Sequence, residues 1–236
     1  TVDFICNPQV RSAIAQGRIQ VVQAGAGIDI ERLLLLQPDL ILTSTSGAAS
    51  PAQAGSLARA GLPVVQSAGY LEPHPLARAE WLKFIAAFFN CEDRAAQHFD
   101  RVAARYESLC AQTRDIRTRP RVFCGAPYAG AWYMAGGASY QAQAIRDAGG
   151  DYLWADIPGS GARPLDTERV FLKAAQANIW LDPSFYRSRS ALFAADPRFQ
   201  KFHAAQSGKI FNNSKQCHPS GGNPIWESGI VRPDQV

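Results

Sequence analysis

Short apolar runs of two kinds alternate along this chain, one with the every-second-residue period of strands and one with the three-to-four-residue period of helices. Near the start they predict a strand at 19–22, a helix at Ile30–Leu36, and a strand at 39–43 that enters the small polar loop 44–50. A helix at 51–60 follows, closed by Gly61, and then a strand at 63–66. Pro51 is tolerated in a first helical turn, and glycine supplies the left-handed residue that ends a helix.

The middle of the chain breaks the alternation. Trp81, Phe84, Ile85 and Phe88 recur at helical spacing, and so do Phe99, Val102, Ala103, Tyr106, Leu109 and Cys110. The second helix, Glu92–Thr113, would be about 33 Å long at 1.5 Å per residue, enough to bridge two lobes. Alternation resumes after Pro120, with strands at 121–124 and 131–135 and a helix at 139–148 stopped by Gly149-Gly150. A helix at 167–175, a strand at 177–181, a helix at 197–206 and a strand at 209–212 complete the pattern. The fold class expected is α/β, two Rossmann-like lobes with mainly parallel sheets joined by a single long helix. The lobes are placed at 1–78 and 119–236, with the helical segment at 79–118.

An internal echo supports two related lobes. Ile28-Asp29-Ile30-Glu31-Arg32-Leu33 is matched by Leu165-Asp166-Thr167-Glu168-Arg169-Val170, each followed by a helix and a strand. In both copies an Asp stands at the N-cap and a Glu in the first turn, where the helix dipole favours negative charge.

Composition narrows the function classes. Hydrophobic residues make up 47% and charged residues 19%, a globular balance. The net charge is +4 with basic residues scattered along the chain, so no nucleic-acid partner is expected. No run approaches the roughly 20 apolar residues of a membrane span. The chain opens without a basic, apolar leader, which fits a cytosolic protein or a secreted one whose signal peptide has been removed. The five cysteines form no Cys-x-x-Cys pair, so spacing gives no support to a zinc or iron–sulfur site. A Cys91–Cys110 bridge and two half-buried helix positions remain alternatives at this stage.

The helix carrying Glu31-Arg32, the run Gln37-Pro38-Asp39-Leu40-Ile41-Leu42 and the run Ala60-Gly61-Leu62-Pro63-Val64-Val65 form one ordered set of motifs. Gly149-Gly150-Asp151, Thr167-Glu168-Arg169-Val170 and Gly208-Lys209-Ile210-Phe211 form the second. In that order the chain resembles the periplasmic substrate-binding proteins of ABC importers for iron-siderophores, haem and cobalamin, two α/β lobes joined by one long helix. Against that pattern the first strand of the N-terminal lobe and the last helix of the C-terminal lobe are expected to be missing. The resemblance implies a monomeric, non-enzymatic receptor with no cofactor, located in the periplasm or on the outer face of the cytoplasmic membrane. It would bind a metal chelate between its lobes and deliver it to an ABC permease. In the family one glutamate at the tip of each lobe pairs with permease arginines, and the matching positions are Glu31 and Glu168. A bland reading stands beside this, since glutamate is common in first helical turns.

Ligands of open α/β sheets bind beyond the C-terminal ends of the strands, which here lead into 44–50, 67–74, 125–132, 182–189 and 212–226. Tyr70, Tyr128, Trp132, Tyr133, Phe185, Tyr186 and Trp226 supply aromatic faces for a large planar or greasy chelate, with Arg187, Arg189 and Asn223 for its polar edge. Ordinary packing is an equal reading for each aromatic. His74, His98, His203 and His218 are too dispersed for a four-ligand metal cluster, although Tyr70, Tyr128 and His218 are candidates for an axial ligand to haem iron. No Gly-x-Ser-x-Gly and no phosphate-binding Gly-x-x-x-x-Gly-Lys is present, so binding without chemistry is expected. An enzyme on the same scaffold and a direct metal-ion receptor are the alternatives.

Overall fold

A computed structural model describes residues 2–24, 27–44, 51–184, 186–218 and 221–235. The chain begins with a 3-10 turn, Val2–Phe4, and helix α1 (Pro8–Ala15), whose start is set by Asn7. The Asn7 side chain accepts from the backbone N–H groups of Gln9 and Val10, and Pro8 stands where a missing N–H costs nothing. Residues 19–22, expected as a strand, are irregular. They follow the left-handed Gly17, and the Arg18 and Ile19 N–H groups turn back onto the Ala13 carbonyl instead of a neighbouring strand. Two short antiparallel strands, β1 (Gln23–Ala24) and β2 (Gly27–Ile28), come next.

Helix α2 (Ile30–Leu36) is capped by Asp29, which accepts from Arg32 N–H at 2.9 Å. It ends in the left-handed Gln37, followed by a proline that cannot continue it. Strand β3 (Ile41–Ser44) pairs in parallel with β4 (Val64–Ser67) across helix α3 (Pro51–Arg59). Leu33, Leu57 and Leu62 form a small core with Ile28, Ile41 and Val64 against it. The predicted loop 44–50 lies outside the described residues from position 45 onward.

After a 3-10 turn at Gly69–Leu71, helices α4 (Pro75–Ala87) and α5 (Glu92–Thr113) pack on each other, and α5 leads toward strand β5 (Arg121–Cys124). Both helices were predicted, though α4 starts four residues earlier because His74 caps it: Nδ1 accepts from Leu76 N–H at 3.1 Å. Cys91 precedes α5 and Cys110 lies within it, about 28 Å apart at the helical rise, four times the reach of a disulfide. All five cysteines are free.

The C-terminal half continues with β6 (Trp132–Ala135), α6 (Tyr140–Asp147), β7 (Asp151–Tyr152), β8 (Ala162–Leu165), α7 (Thr167–Ala174) and β9 (Ile179–Leu181). It ends with α8 (Arg189–Ala195), a 3-10 turn at Pro197–Lys201, α9 (His203–Gln206), β10 (Ile210–Phe211) and α10 (Pro224–Ser228). The helix expected at 197–206 is thus broken, because Phe202 is extended and buried between its two halves. A four-stranded, all-parallel sheet runs in the order β10-β9-β5-β7. The strand expected at 131–135 is β6, but it pairs antiparallel with β8 outside that sheet.

Aromatic side chains fill this half. Phe123, Trp132 and Trp180 are 0% exposed, and Phe199 and Phe202 are 1% exposed. Phe123 stacks on Trp180 at 5.0 Å between centroids. Two of the buried indoles find acceptors at the end of β5: Trp132 Nε1 donates to the Cys124 carbonyl and Trp180 Nε1 to the Gly125 carbonyl. The core therefore sits directly beneath the C-terminal end of the sheet.

Candidate functional site

Three parallel strands end together at Asp182. Its N–H donates to the Phe211 carbonyl at 2.7 Å, and the Gly125 N–H donates to its carbonyl at 3.1 Å, so β9, β10 and β5 converge on one residue. Asp182 and Ser184 are left-handed non-glycine residues, with φ 47° and 63°. Such backbone strain is held in place by its surroundings and concentrates at functional loops. Burial pushes the Asp182 carboxyl above its ordinary range. Beneath it the Cys124 thiol is pushed up to about 12, first by burial and then by the neighbouring Asp182 charge. The site therefore carries a carboxyl held against its own desolvation at the crest of the sheet. An acidic residue at the end of a predicted strand, followed by Pro183, was the signal in the sequence, and it was not singled out.

The loops around Asp182 are fixed by backbone chemistry. Ala129 and Gly130, both left-handed, form the two-residue turn that brings Tyr128 and Ala131 into mutual backbone hydrogen bonds. Tyr128 stands 69% exposed at its edge. Asn212 Nδ2 donates to the Ser184 and Tyr186 carbonyls, at 3.2 and 2.7 Å, and so clamps the loop after β9 onto the end of β10. Tyr186 is half-buried against the core and lines a 230 Å³ hollow with Thr167, Asp196 and Arg198.

The expected site residues separate into three groups. Tyr128, Tyr133, Tyr186, Arg187 and Trp226 belong to the C-terminal half and keep accessible surface, and Tyr70 lies in the turn after β4 with 40% exposure. Trp132 is a correction. On β6 its neighbour Tyr133 faces out while Trp132 faces in, as alternation along a strand requires, and its ring is enclosed by the aromatic core. Arg189 and Asn223 serve structure: Arg189 donates to the Ala205 carbonyl at 2.7 Å, and Asn223 caps α10 while donating to Asn213 Oδ1 at 2.8 Å. Phe185 lies outside the described residues.

Next to Asn223 a 470 Å³ depression opens between the end of β10 and α10. Asn212, Asn213, Lys215, Gln216 and Arg232 give it a polar, cationic lining. Sequence reading missed this set because Lys215 and Arg232 are far apart in the chain and belong to no motif.

The histidines do not converge. His74 caps α4, His98 Nε2 lies 3.4 Å from the Val231 carbonyl, His203 opens α9, and His218 N–H bonds the Gly222 carbonyl. Among the described residues no group of three or more His, Cys, Asp or Glu could hold a metal ion, and no helix is long and apolar enough to cross a membrane.

The echo is structural as well as sequential. Glu31 and Glu168 are exposed first-turn residues of α2 and α7, each behind an Asp cap, with Leu33 and Val170 buried at the equivalent inward position. They differ in one respect. Glu168 forms an ion pair with Arg198, which also grips Asp196, whereas Glu31 has no ion pair among the described residues.

Comparison with known proteins agrees with this architecture. A family model described as "Periplasmic binding protein" matches residues 6–216. An uncharacterized lipoprotein of Methanocaldococcus jannaschii is 27% identical over 232 residues, 96% of this chain and 53% of the relative. The chain thus spans about half the length of that curated relative. Among solved structures, the periplasmic haem-binding protein HutB of Vibrio cholerae superposes with a TM-score of 0.68 at 18% identity, covering 94% of this chain and 85% of the other. The molybdate-bound periplasmic protein MolA of Haemophilus influenzae gives 0.68 at 17% identity, covering 96% and 76%.

Proposed function

Because the chain belongs to the periplasmic binding protein family, we propose that it is a solute receptor that captures an iron chelate, a ferric siderophore or haem, or cobalamin, and delivers it to an ABC permease. The observation that carries the reading is the crest of the C-terminal sheet. Three strands end at the partly buried Asp182, and exposed Tyr128 and Tyr133 and half-buried Tyr186 belong to the segments that follow those strands in the chain. Aromatic faces suit a macrocycle or catecholate, and a few polar groups fix its orientation. Lys215, in the polar depression between β10 and α10, supports an anionic edge on the ligand. Tyr70, from the turn after β4, supplies the facing aromatic of the other lobe.

The lobes are 1–78 and 119–236 and the connecting segment is 79–118, with the ligand held between the lobes. Glu31 and Glu168 dock on permease arginines, one per lobe, and their repetition in α2 and α7 supports a pseudo-symmetric partner. The receptor works outside the cytoplasmic membrane, anchored by lipid as its lipoprotein relative is named to be, or free in the periplasm. Capture leaves the ligand chemically unchanged.

Titration of the intrinsic tryptophan fluorescence with haemin, a ferric catecholate siderophore, cyanocobalamin and molybdate tests the reading. Saturable quenching by one of the first three, with the ligand recovered intact, supports it. Binding of molybdate alone, or turnover of any of them, removes it.

A further inference from the structure

Among the described residues, the two most exposed large apolar side chains occupy the same place in the two lobes. Leu35 is 86% exposed and Leu172 is 83% exposed, ahead of Tyr128 at 69%. Leu35 lies four residues after Glu31 on α2, and Leu172 four residues after Glu168 on α7. Residues four apart share one helical face, a turn above one another. Each helix therefore presents outward a carboxylate with a leucine beneath it, while Leu33 and Val170 turn inward.

Single exposed leucines are ordinary on protein surfaces. Chance exposure does not explain the same pair, at the same helical positions, on both members of a duplicated element. Helix stability does not need these leucines either, since neither touches the core of its lobe. Leu34 and Leu36, at 46% and 42% exposure, widen the apolar strip on α2. An apolar anchor beside a charged rim is the usual anatomy of a protein interface.

We infer that Leu35 and Leu172 are the apolar anchors of a two-point docking surface for the permease dimer, each seating in an apolar socket beside the arginine that receives Glu31 or Glu168. The inference rests on the docking reading of those glutamates and adds what charge cannot supply. Exposed ion pairs are screened by salt and contribute little lasting affinity, whereas a leucine buried in a socket slows dissociation. Charge then governs encounter and the leucines govern residence.

The test is binding of the receptor to nanodiscs bearing its cognate permease, with empty nanodiscs as control, at low and high salt. Leu35→Gln and Leu172→Gln are each expected to weaken binding about tenfold through faster dissociation, with thermal unfolding unchanged and Leu→Met restoring affinity at both sites. Glu31→Gln with Glu168→Gln is expected to slow association and reduce the salt dependence. Full affinity in the double leucine variant, with the glutamate variant impaired, overturns the anchors and leaves the docking reading standing. Full affinity in both sets overturns both. Equal loss on empty nanodiscs assigns the leucines to lipid, and wild-type self-association that the leucine variants abolish assigns them to a second copy of the chain; either overturns the inference.

Discussion

Tyr106 on α5 donates its hydroxyl to the Asp147 carboxylate at the end of α6, 2.8 Å away. Burial and this acceptor raise the phenol well above its ordinary range, so it stays a donor at any working pH. The same carboxylate takes Gln143 Nε2 at 2.7 Å and lies 3.7 Å from His74 Nε2, while Thr113 Oγ1 bonds the Asp147 carbonyl. Arg78 of α4 lies over the Tyr140 ring of α6 at 4.0 Å. Helices α4, α5 and α6 are thus tied at one knot.

Tyr106→Phe should cost about 1–2 kcal/mol, since a hydrogen bond to a charged acceptor is lost and its partner keeps only part of its shell. Urea denaturation measures it. With the knot intact, small-angle scattering should change little on ligand binding, because a stiff helix resists wide hinge motion. A large fall in radius of gyration would contradict this.

Trp132 and Tyr133 should give opposite results from adjacent positions. Trp132→Phe loses the Cys124 carbonyl bond and core volume and should cost about 1–3 kcal/mol while leaving ligand affinity unchanged. Tyr133→Ala, on the outward face, should alter stability by less than about 0.5 kcal/mol and weaken binding. Paired denaturation and fluorescence titrations separate the two.

Asp182→Asn should stabilise the unliganded protein at neutral pH and weaken ligand binding. Burial raises the folded-state carboxyl, so its favourable contribution is complete below the unfolded value of about 3.9 and is lost as pH rises through the folded value. The stability advantage of the Asn variant should therefore grow from acid toward neutral pH. Thermal melts of both proteins from pH 3 to 7 give the comparison, and parallel curves would count against it.

Asp234 should behave in the opposite way. Its side chain is 1% exposed and paired with Arg232 at 2.9 Å, and Arg232 first, with Arg105 adding to it, holds its carboxyl below the usual range. Its contribution is present above the unfolded value near 3.9 and disappears as pH falls through the lower folded value. Asp234→Asn should cost about 1–2 kcal/mol at pH 7 and release the C-terminal turn from α5, seen as faster amide exchange there.

Arg198→Gln should free Glu168 for an external arginine. The Glu168–Arg198 pair is largely exposed, so stability should change little. Docking to the permease should tighten, and unchanged docking would mean that the pair imposes no barrier.

Much of the architecture was legible without coordinates. Periodicity located α2, α5, α7, β3, β5 and β9, since each carries enough apolar residues at one spacing to be read alone, and the Asp-capped echo around Glu31 and Glu168 was visible as text. The shortest elements were not legible: β7 is two residues long and β8 contains Pro164, so neither presents a period, and both exist because a neighbouring strand pairs with them. The site was legible only as a set of loops.

Local chemistry therefore determined which stretches coil, which extend and where caps begin them, because caps, turns and amphipathic periods depend on residues within a few positions of one another. Tertiary structure alone decided that Trp132 goes inward and Tyr133 outward, that Asp182 meets the ends of three strands, that Lys215 and Arg232 share one depression, and that Leu35 and Leu172 stay in solvent. Those facts depend on which residues distant in the chain come to lie together, and burial and desolvation are set by that packing.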